Sequence, residues 1–202
     1  MRSYRVLKTK GKPDWDKLEK APIDRLAWTD YIDITAYAQL AYGEDRLYVH
    51  LHADEKDIRA EGFGELDAPC LDSCLEFFFS PSDSDPRYIN IEMNPNLCLY
   101  FGIGTGRNNL VRMLLPGGAR ALNAECEKSS GSWDLYYELS FSLLRLLFPD
   151  FKPTGHKRAN FYKCGDLTKH EHYISWNSVE CEEPDFHRPE YFGELVFSEE
   201  EI

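Results

Sequence analysis

The sequence predicts an all-β protein, an antiparallel β-sandwich that carries one or two short helices. Many short segments alternate apolar and polar residues, turn signals separate them at regular intervals, and few segments have a helical period. The chain has 202 residues, of which 43% are hydrophobic and 14% aromatic. That length is ample for a buried core. No composition shift or internal repeat divides the chain, so we expect residues 1–202 to form a single domain.

Acidic residues outnumber basic ones, and the net charge is −12. This charge argues against nucleic acid and against an anionic membrane surface as partners, because both attract a basic face. No segment is long enough to span a bilayer, and no apolar signal region follows the basic start at 1–8. On this sequence we expect a cytoplasmic protein, or an extracellular one if a leader is missing. The oligomeric state stays open.

The N-terminal third of the chain is predicted to hold an edge strand, a short helix capped by Asp14, and a hairpin. Trp28, which lies between the helix and the hairpin, is expected in the core because large aromatic residues usually pack there. The predicted strand is 4–9, the helix is 15–20, and the two hairpin strands are 35–42 and 46–52.

Two histidines share one face of the second hairpin strand. His50 and His52 alternate with apolar residues, and Asp54 follows two positions later. Imidazole and carboxylate groups at this spacing are a candidate metal set on a strand. A solvated polar strand face explains the same pattern, and we favour that interpretation.

The central segments contain polar residues whose positions in apolar runs are hard to explain if they lie on the protein surface. Glu76 lies in a run of apolar residues, and a buried carboxylate needs a partner. On the next predicted strand Asn90 and Glu92 point to one side, together with Tyr88 and Asn94. The three predicted strands are 71–80, 87–94 and 97–102, and the glycines of 102–107 indicate a flexible loop without the spacing of a phosphate-binding motif.

The C-terminal half is predicted to contain further strands and one amphipathic helix. The helix ends at Pro149 and buries leucines against one end of the core. Its predicted span is 142–148, and the strands are 121–126, 133–140, 159–163, 172–176 and 192–197.

Six cysteines are too few for a disulfide scaffold in a chain of this length. Cys98 and Cys126 lie in strand-like runs, so buried free thiols are the default. Cys70 and Cys74 have a C-x3-C spacing, but no second pair at zinc spacing follows. The pattern therefore favours free thiols over a zinc site.

Two kinds of chemistry fit the polar residues. A glycoside hydrolase would need Glu76 and Glu92 to face each other across a sugar-sized gap, and no serine-nucleophile motif offers a different hydrolase. A sugar-binding surface would need aromatic planes against the ring faces and directed polar groups around the hydroxyls. The residues that suit this second role are Glu76, Asn90, Glu92, Tyr162, His170, Phe186, His187 and Arg188. For each aromatic residue, packing in the core is an equally good explanation.

Six segments, in order along the chain, resemble carbohydrate-binding module family 9 and its stand-alone relatives. They are 45–50 (DRLYVH), 72–79 (DSCLEFFF), 88–94 (YINIEMN), 160–166 (NFYKCGD), 174–176 (ISW) and 188–195 (RPEYFGEL). The resemblance implies a jelly-roll-like β-sandwich, non-catalytic sugar binding and structural calcium. It implies that Glu76 hydrogen-bonds sugar, and that Asn90, Tyr162 and His170 fall near other ligand contacts.

The resemblance also implies a clamp of two tryptophans around a chain end, and this sequence departs from it. Residues 67–71, where the first tryptophan is expected, hold no aromatic residue, and Phe186 stands in place of the second. No EF-hand pattern is present, although the acidic loop 82–85 leaves calcium open. A haem- or cofactor-binding sandwich of the wider family is a further alternative, with His50, His52 or His187 as axial ligand.

The sequence as a whole predicts non-catalytic binding of a saccharide or of a polysaccharide chain end, in carbohydrate catabolism. Glu76 and Asn90 would bond ring hydroxyls, Phe186 would stack on the ring, and Arg188 would anchor a hydroxyl or a carboxylate. A glycoside hydrolase or its accessory domain is the alternative.

Overall fold

A computed structural model describes residues 1–31 and 33–202. Within these residues the chain forms fourteen strands, one α-helix and five short 3-10 turns. The strands are β1 Ser3–Lys8, β2 Ala21–Ile23, β3 Arg25–Leu26, β4 Ile34–Tyr42, β5 Arg46–Glu55, β6 Cys74–Ser80, β7 Tyr88–Met93, β8 Leu99–Gly104, β9 Val111–Arg112, β10 Glu125–Ser129, β11 Ser132–Ser140, β12 Gly155–Gly165, β13 His172–Ser175 and β14 Gly193–Glu201.

The strands follow the order β10-β11-β5-β4-β1-β14-β12-β6-β7-β8-β9. The path folds over, so that one layer is built around β4, β5 and β11 and the other around β12, β6, β7 and β8. This confirms the predicted all-β, jelly-roll-like β-sandwich. Pairing is antiparallel except at β1, which is parallel to both β14 and β4. The prediction of an edge strand at 4–9 was therefore wrong, because β1 joins the two layers.

The core lies between the layers and is built from alternate residues of the facing strands. Leu47, Val49 and Leu51 of β5 and Phe77 and Phe79 of β6 are fully buried in one cluster. Their neighbours in the chain point to the two outer faces, as strand alternation requires. The alternation of apolar and polar residues in the sequence thus correctly predicted which residues pack in the core.

The α-helix, α1, spans Phe141–Leu147 and begins one residue before the predicted helix. Ser140 caps it, because its Oγ accepts a hydrogen bond of 3.2 Å from the Leu143 N–H. The helix predicted over 15–20 is one 3-10 turn, Trp15–Lys17, and the side chain of Asp14 makes no capping bond to it. No helix of the described residues is long and apolar enough to cross a membrane.

A second cluster of buried aromatic residues covers the outer face of the second layer. Phe78 of β6, Tyr88 of β7 and Tyr162 of β12 are fully buried there. Phe186 and Phe192, from the C-terminal segment, pack over them. This segment covers only part of the face, and a cavity remains beside it.

Candidate functional site

Four side chains form a row across the outer face of the second layer. Tyr162 of β12 lies opposite Glu76 of β6, Glu76 lies opposite Glu92 of β7, and Glu92 lies opposite Tyr100 of β8. Directly opposed residues of antiparallel strands point to the same side of the sheet. The two glutamates that the sequence proposed as a pair are therefore next to each other in the middle of this face.

The two carboxylates face a cavity of about 110 Å³. Trp28, Tyr173 and Phe186 contribute aromatic walls, and the C-terminal segment from Pro184 to His187 forms one rim. The remaining lining residues are Cys70, Arg107, Cys164, Asp166 and Asp185. Polar and aromatic groups converging on one small cavity are the usual form of a ligand site.

Both carboxylates are almost completely buried, and burial changes their protonation. Burial, together with the nearby charge of Glu92, raises the pKa of Glu76 well above its ordinary value. Burial also raises the pKa of Glu92 to about 7, although the hydrogen bond from Asn90 and the charges of Arg112 and Arg107 oppose it. Near neutral pH the pair can thus both donate and accept hydrogen bonds.

The hydrogen bonds to the two carboxylates come from uncharged donors. The Asn90 Nδ2 donates to the Glu92 Oε1 over 2.6 Å, and the Cys164 Sγ donates to the Glu76 Oε1 over 2.9 Å. Asn90 does not line the cavity; it is fully buried and holds Glu92 from the side. In this structure it positions Glu92, and its predicted direct contact with a sugar stays a prediction.

Glycine at position 102 makes room for Asn90. A Cβ atom at Gly102 would lie 2.0 Å from the Asn90 Oδ1, closer than any real contact. Gly102 belongs to β8 and is buried, so the prediction of a flexible loop beginning there was wrong. The glycine is needed because the amide beside Glu92 occupies the space over its backbone.

The wall formed by Phe186 is supported from below by Tyr162. The two rings stack with centroids 4.0 Å apart, and the Tyr162 hydroxyl donates to the Phe186 carbonyl over 3.1 Å. Tyr162 is fully buried and does not reach the cavity. In this structure it orients the Phe186 wall, and its predicted contact with a sugar stays a prediction.

Trp28 lies at the cavity wall and not in the core, where it was expected. Its ring centroid is 5.4 Å from that of Phe186, and its Nε1 donates to the Cys181 carbonyl over 2.8 Å. The residue is half-buried and has a φ of 58°, in the left-handed region. A tryptophan with this backbone conformation is strained. The hydrogen bond from its Nε1 holds the indole in one orientation at the cavity wall.

His187 lines the cavity with its position fixed by Tyr88. The Nδ1 of His187 and the Tyr88 hydroxyl are 2.9 Å apart, and the imidazole packs on Phe78. Burial lowers the pKa of His187 to about 4, and the positive charge of Arg107 acts in the same direction. The ring is therefore neutral at physiological pH and can serve as a hydrogen-bonding group.

Two predicted residues, Arg188 and His170, are not brought to this cavity. Arg188 is bound to Glu190, with the Nε 2.7 Å from the Oε1, and its guanidinium lies over Tyr191. His170 is exposed and stacks on Tyr31 at a centroid distance of 4.4 Å. Both lie close in sequence to cavity residues, but Arg188 precedes a 3-10 turn and His170 lies in the loop before β13, and their side chains contact other residues.

The histidines of β5 form a closed polar network. One oxygen of Asp134, Oδ1, lies 2.7 Å from the His50 Nε2 and 2.8 Å from the His52 Nδ1. The other His50 nitrogen bonds Gln39, and the other His52 nitrogen lies 3.3 Å from Asp54. These nitrogens are engaged within the protein, so the network does not suit an axial haem ligand. The face is polar, as the sequence favoured, but His50 is buried, so the predicted solvation of this face was wrong.

The acidic loop 82–85 does not fit a calcium site. Asp85 binds the Arg87 guanidinium, and Asp83 pairs with Lys157 at 3.3 Å. Ser82 and Ser84 donate to Asp150. Cations and hydroxyl groups of the protein already use the oxygens that calcium would need.

Sequence reasoning did not find Cys70, Arg107, Asp166 and Tyr173 at the site. One further lining residue, Cys164, had a usable signal, because it is two positions after Tyr162 on β12 and so shares its face. The others lie outside the regular strand pattern or on β13, and only long-range folding brings them to the cavity.

Comparison with known proteins agrees with this fold. The chain belongs to carbohydrate-binding family 9, whose model matches residues 11–197. The chain is similar to a candidate carbohydrate-binding protein from Bacteroides uniformis ATCC 8492, with 26% identity, a TM-score of 0.81, and 98% of this chain and 99% of that chain covered. No curated protein matches the chain.

Two structures of a family 9 carbohydrate-binding module from Caldicellulosiruptor kristjanssonii are also similar. The one in complex with glucose has 13% identity and a TM-score of 0.65, with 96% of each chain covered. The one in complex with cellotriose has 12% identity and a TM-score of 0.65, with 96% of this chain and 94% of that chain covered. The predicted family resemblance is thus confirmed.

Proposed function

We propose that this protein binds carbohydrate without cleaving it, and that the cavity over Glu76 and Glu92 holds the end of a saccharide chain. The observation that carries the proposal is the convergence of two buried carboxyl groups with three aromatic walls in one small cavity. A sugar ring offers apolar faces to such walls and hydroxyl groups to such carboxyls. The small volume favours a terminal ring over the middle of a chain.

Family membership gives the ligand class with which to begin. The Caldicellulosiruptor kristjanssonii module was solved with glucose and with cellotriose. At 12–13% identity that likeness concerns the fold, so the particular sugar does not carry over to this chain. Trp28 and Phe186 would supply the stacking surfaces here, in a different arrangement from two tryptophans.

The placement of the glutamates supports binding over hydrolysis. A glycosidase uses two carboxyl groups that flank the glycosidic bond. Glu76 and Glu92 rise side by side from neighbouring strands on one floor. In a glycosidase, one carboxyl group protonates the leaving oxygen and the other acts on the opposite face of the sugar ring. Glu76 and Glu92 would both reach a ligand from the same side, so they cannot divide these two roles.

Titration calorimetry with glucose, cellotriose and a xylo-oligosaccharide tests the proposal. We expect measurable binding of at least one of them, and a loss of affinity of about tenfold or more in Trp28→Ala and in Glu92→Gln. Arg188→Ala and His170→Ala are the matched controls, because both residues lie away from the cavity. Equal losses in all four variants, or no binding across a wide panel of glycans, would overturn the proposal.

A further inference from the structure

Two thiols and one carboxyl group meet at the edge of the cavity. Cys74 of β6 lies directly opposite Cys164 of β12, and Glu76 is two positions after Cys74 on the same face. The Sγ atoms of both cysteines and a carboxylate oxygen of Glu76 all lie within 4.8 Å of one another. All three side chains are at least 97% buried, with exposed fractions of 0%, 2% and 3%.

This donor set has the chemistry and the size of a thiophilic metal site. Zinc binds thiolate sulfur at about 2.3 Å and carboxylate oxygen at about 2.0–2.2 Å in a tetrahedral arrangement. Donor atoms around such an ion are therefore separated by roughly 3.5–4 Å. The Cys164 Sγ already lies 2.9 Å from the Glu76 Oε1, and the three donor atoms lie within 4.8 Å of one another, so their spacing is close to the one that zinc requires.

Two more polar residues lie beside the three. Cys70 and Asp166 line the same cavity, and the Asp166 N–H donates to the Cys70 carbonyl over 2.9 Å. This bond holds the two residues together next to Cys164. Because Glu76 and Cys164 also line the cavity, an ion on them would have its remaining position directed at the cavity.

The local charge also favours a cation. Glu76 and Glu92 are adjacent buried carboxyl groups, and the hydrogen bonds that they accept come from a thiol and an amide, which bring no charge. Arg107 and Arg112 act on Glu92 only through their charge, because their guanidinium groups donate to backbone carbonyls. Burying carboxyl groups that have no directly bonded cation is costly. A divalent ion would compensate them, and it would replace the protons that the thiols and Glu76 carry in its absence.

We propose that Cys74, Cys164 and Glu76 bind a divalent thiophilic ion of the zinc type. Binding displaces a proton from each thiol, so about two protons leave for each ion bound, and a third leaves if Glu76 is protonated. No electron is transferred. The ion completes the floor of the cavity and keeps one coordination position open to it. This goes beyond saccharide binding, which Glu92 and the aromatic walls can support without the ion.

The test uses the full chain, reduced and freed of metal. Zinc is titrated against a chelating dye, and cobalt is added separately to record thiolate charge-transfer and tetrahedral absorption bands. We expect about one ion per chain, release of about two to three protons per zinc in weakly buffered solution, and zinc affinity reduced at least about tenfold in Cys74→Ala and Cys164→Ala. The control is Cys126→Ala on β10, in the other layer.

A readout without substitutions covers the case in which a buried cysteine variant fails to fold. In mild denaturant, which opens the buried site, zinc should slow the alkylation of Cys164 in the wild-type chain, as followed by mass spectrometry, and should leave the alkylation of Cys126 unchanged. The proposal is overturned if the wild-type chain gives no thiolate–cobalt band, if Cys126→Ala weakens zinc as much as the other variants do, or if the protected thiols are elsewhere. Sugar titrations in chelator report separately on saccharide binding.

Discussion

Glu76 and Glu92 lie directly opposite each other on β6 and β7, both almost completely buried and both facing one cavity. An apolar pair at these positions would stabilise the sheet better, because adjacent carboxyl groups repel each other when ionised and lose hydration when buried. Keeping two such groups on the floor of a cavity points to a ligand whose hydroxyl groups or charge they meet.

The raised pKa of Glu92 predicts a particular pH dependence of stability. The ordinary pKa is 4.5, and burial raises it to about 7 in the folded chain. The folded state therefore holds a proton that the unfolded state has lost between these values, so stability falls as the pH rises from about 4.5 through 7. The size of this loss is about 3 kcal/mol for this one group.

Chemical denaturation at intervals between pH 4.5 and 8.5 measures this loss of stability in the wild-type chain and in Glu92→Gln. Glutamine keeps the shape and removes the titration, so the difference in unfolding free energy between the two should change across this range. Glu138→Gln, on β11 in the other layer, is the control. A constant difference at every pH would mean that Glu92 titrates at its ordinary pKa.

Gly102→Ala should damage the site through Asn90. The added Cβ would lie 2.0 Å from the Asn90 Oδ1 and 2.8 Å from the Tyr100 ring, so Asn90 must move and release Glu92. Overpacking of this kind costs roughly 1–3 kcal/mol. We expect a lower denaturation midpoint together with weaker saccharide binding. At Gly11 nothing lies within 4 Å of the added atom, so Gly11→Ala should leave binding unchanged. Unchanged affinity in Gly102→Ala would show that Asn90 does not position Glu92.

Strand alternation made much of this structure predictable. It correctly placed Leu47 inside the sandwich. It also identified the strand faces that carry Glu76 and Glu92, which lie on the same face of the sheet. Alternation concerns neighbours along one strand, so it says nothing about which distant segments cover an outer face. Trp28 reaches the cavity from a loop far from β6 in sequence, and no local pattern marks it. Arg188, near Phe186 in sequence, turns away because Glu190 binds it.

Asp134 should stabilise the first layer most between about pH 4 and 6.5. Burial acts to lower the pKa of His52, but the hydrogen bond and charge of Asp134 outweigh it and raise that pKa. Burial acts to raise the pKa of Asp134, but the hydrogen bonds from His50 and His52 lower it. The raised pKa of His52 gives stability that is complete below about 6.5 and lost at higher pH. The lowered pKa of Asp134 gives stability that is lost in acid.

Asp134→Asn should therefore cost about 1–2 kcal/mol near pH 5.5 and less near pH 9. Urea denaturation at the two pH values measures the difference. The comparison variant is Asp54→Asn, because Asp54 is more exposed and lies 3.3 Å from the His52 Nε2. A cost for Asp134→Asn that is independent of pH would show that a neutral hydrogen bond, and not the charge on the imidazole, is what matters.

An ion pair connects the two layers of the sandwich at one end of the core. Lys163 of β12 and Glu55 of β5 are both buried, with the Nζ 3.1 Å from the Oε2. The same Nζ bonds the Cys164 carbonyl and His172, and Glu55 accepts from Ser73. Each of the two charged groups thus has several hydrogen-bonding partners. Removing the charge of Lys163 or of Glu55 leaves the other charge buried without its ion-pair partner.

Lys163→Met should consequently cost about 3–5 kcal/mol, whereas the double variant Lys163→Met/Glu55→Gln should recover part of that loss. The recovery is expected because glutamine can still accept from Ser73 without carrying a charge into the core. A double-mutant cycle by chemical denaturation gives the coupling energy between the two residues. The exposed pair of Lys169 and Asp57, at 3.0 Å, is the control and should show little coupling. If the double variant is as unstable as the sum of the single ones, the two charges act independently and Glu55 is compensated by groups other than Lys163.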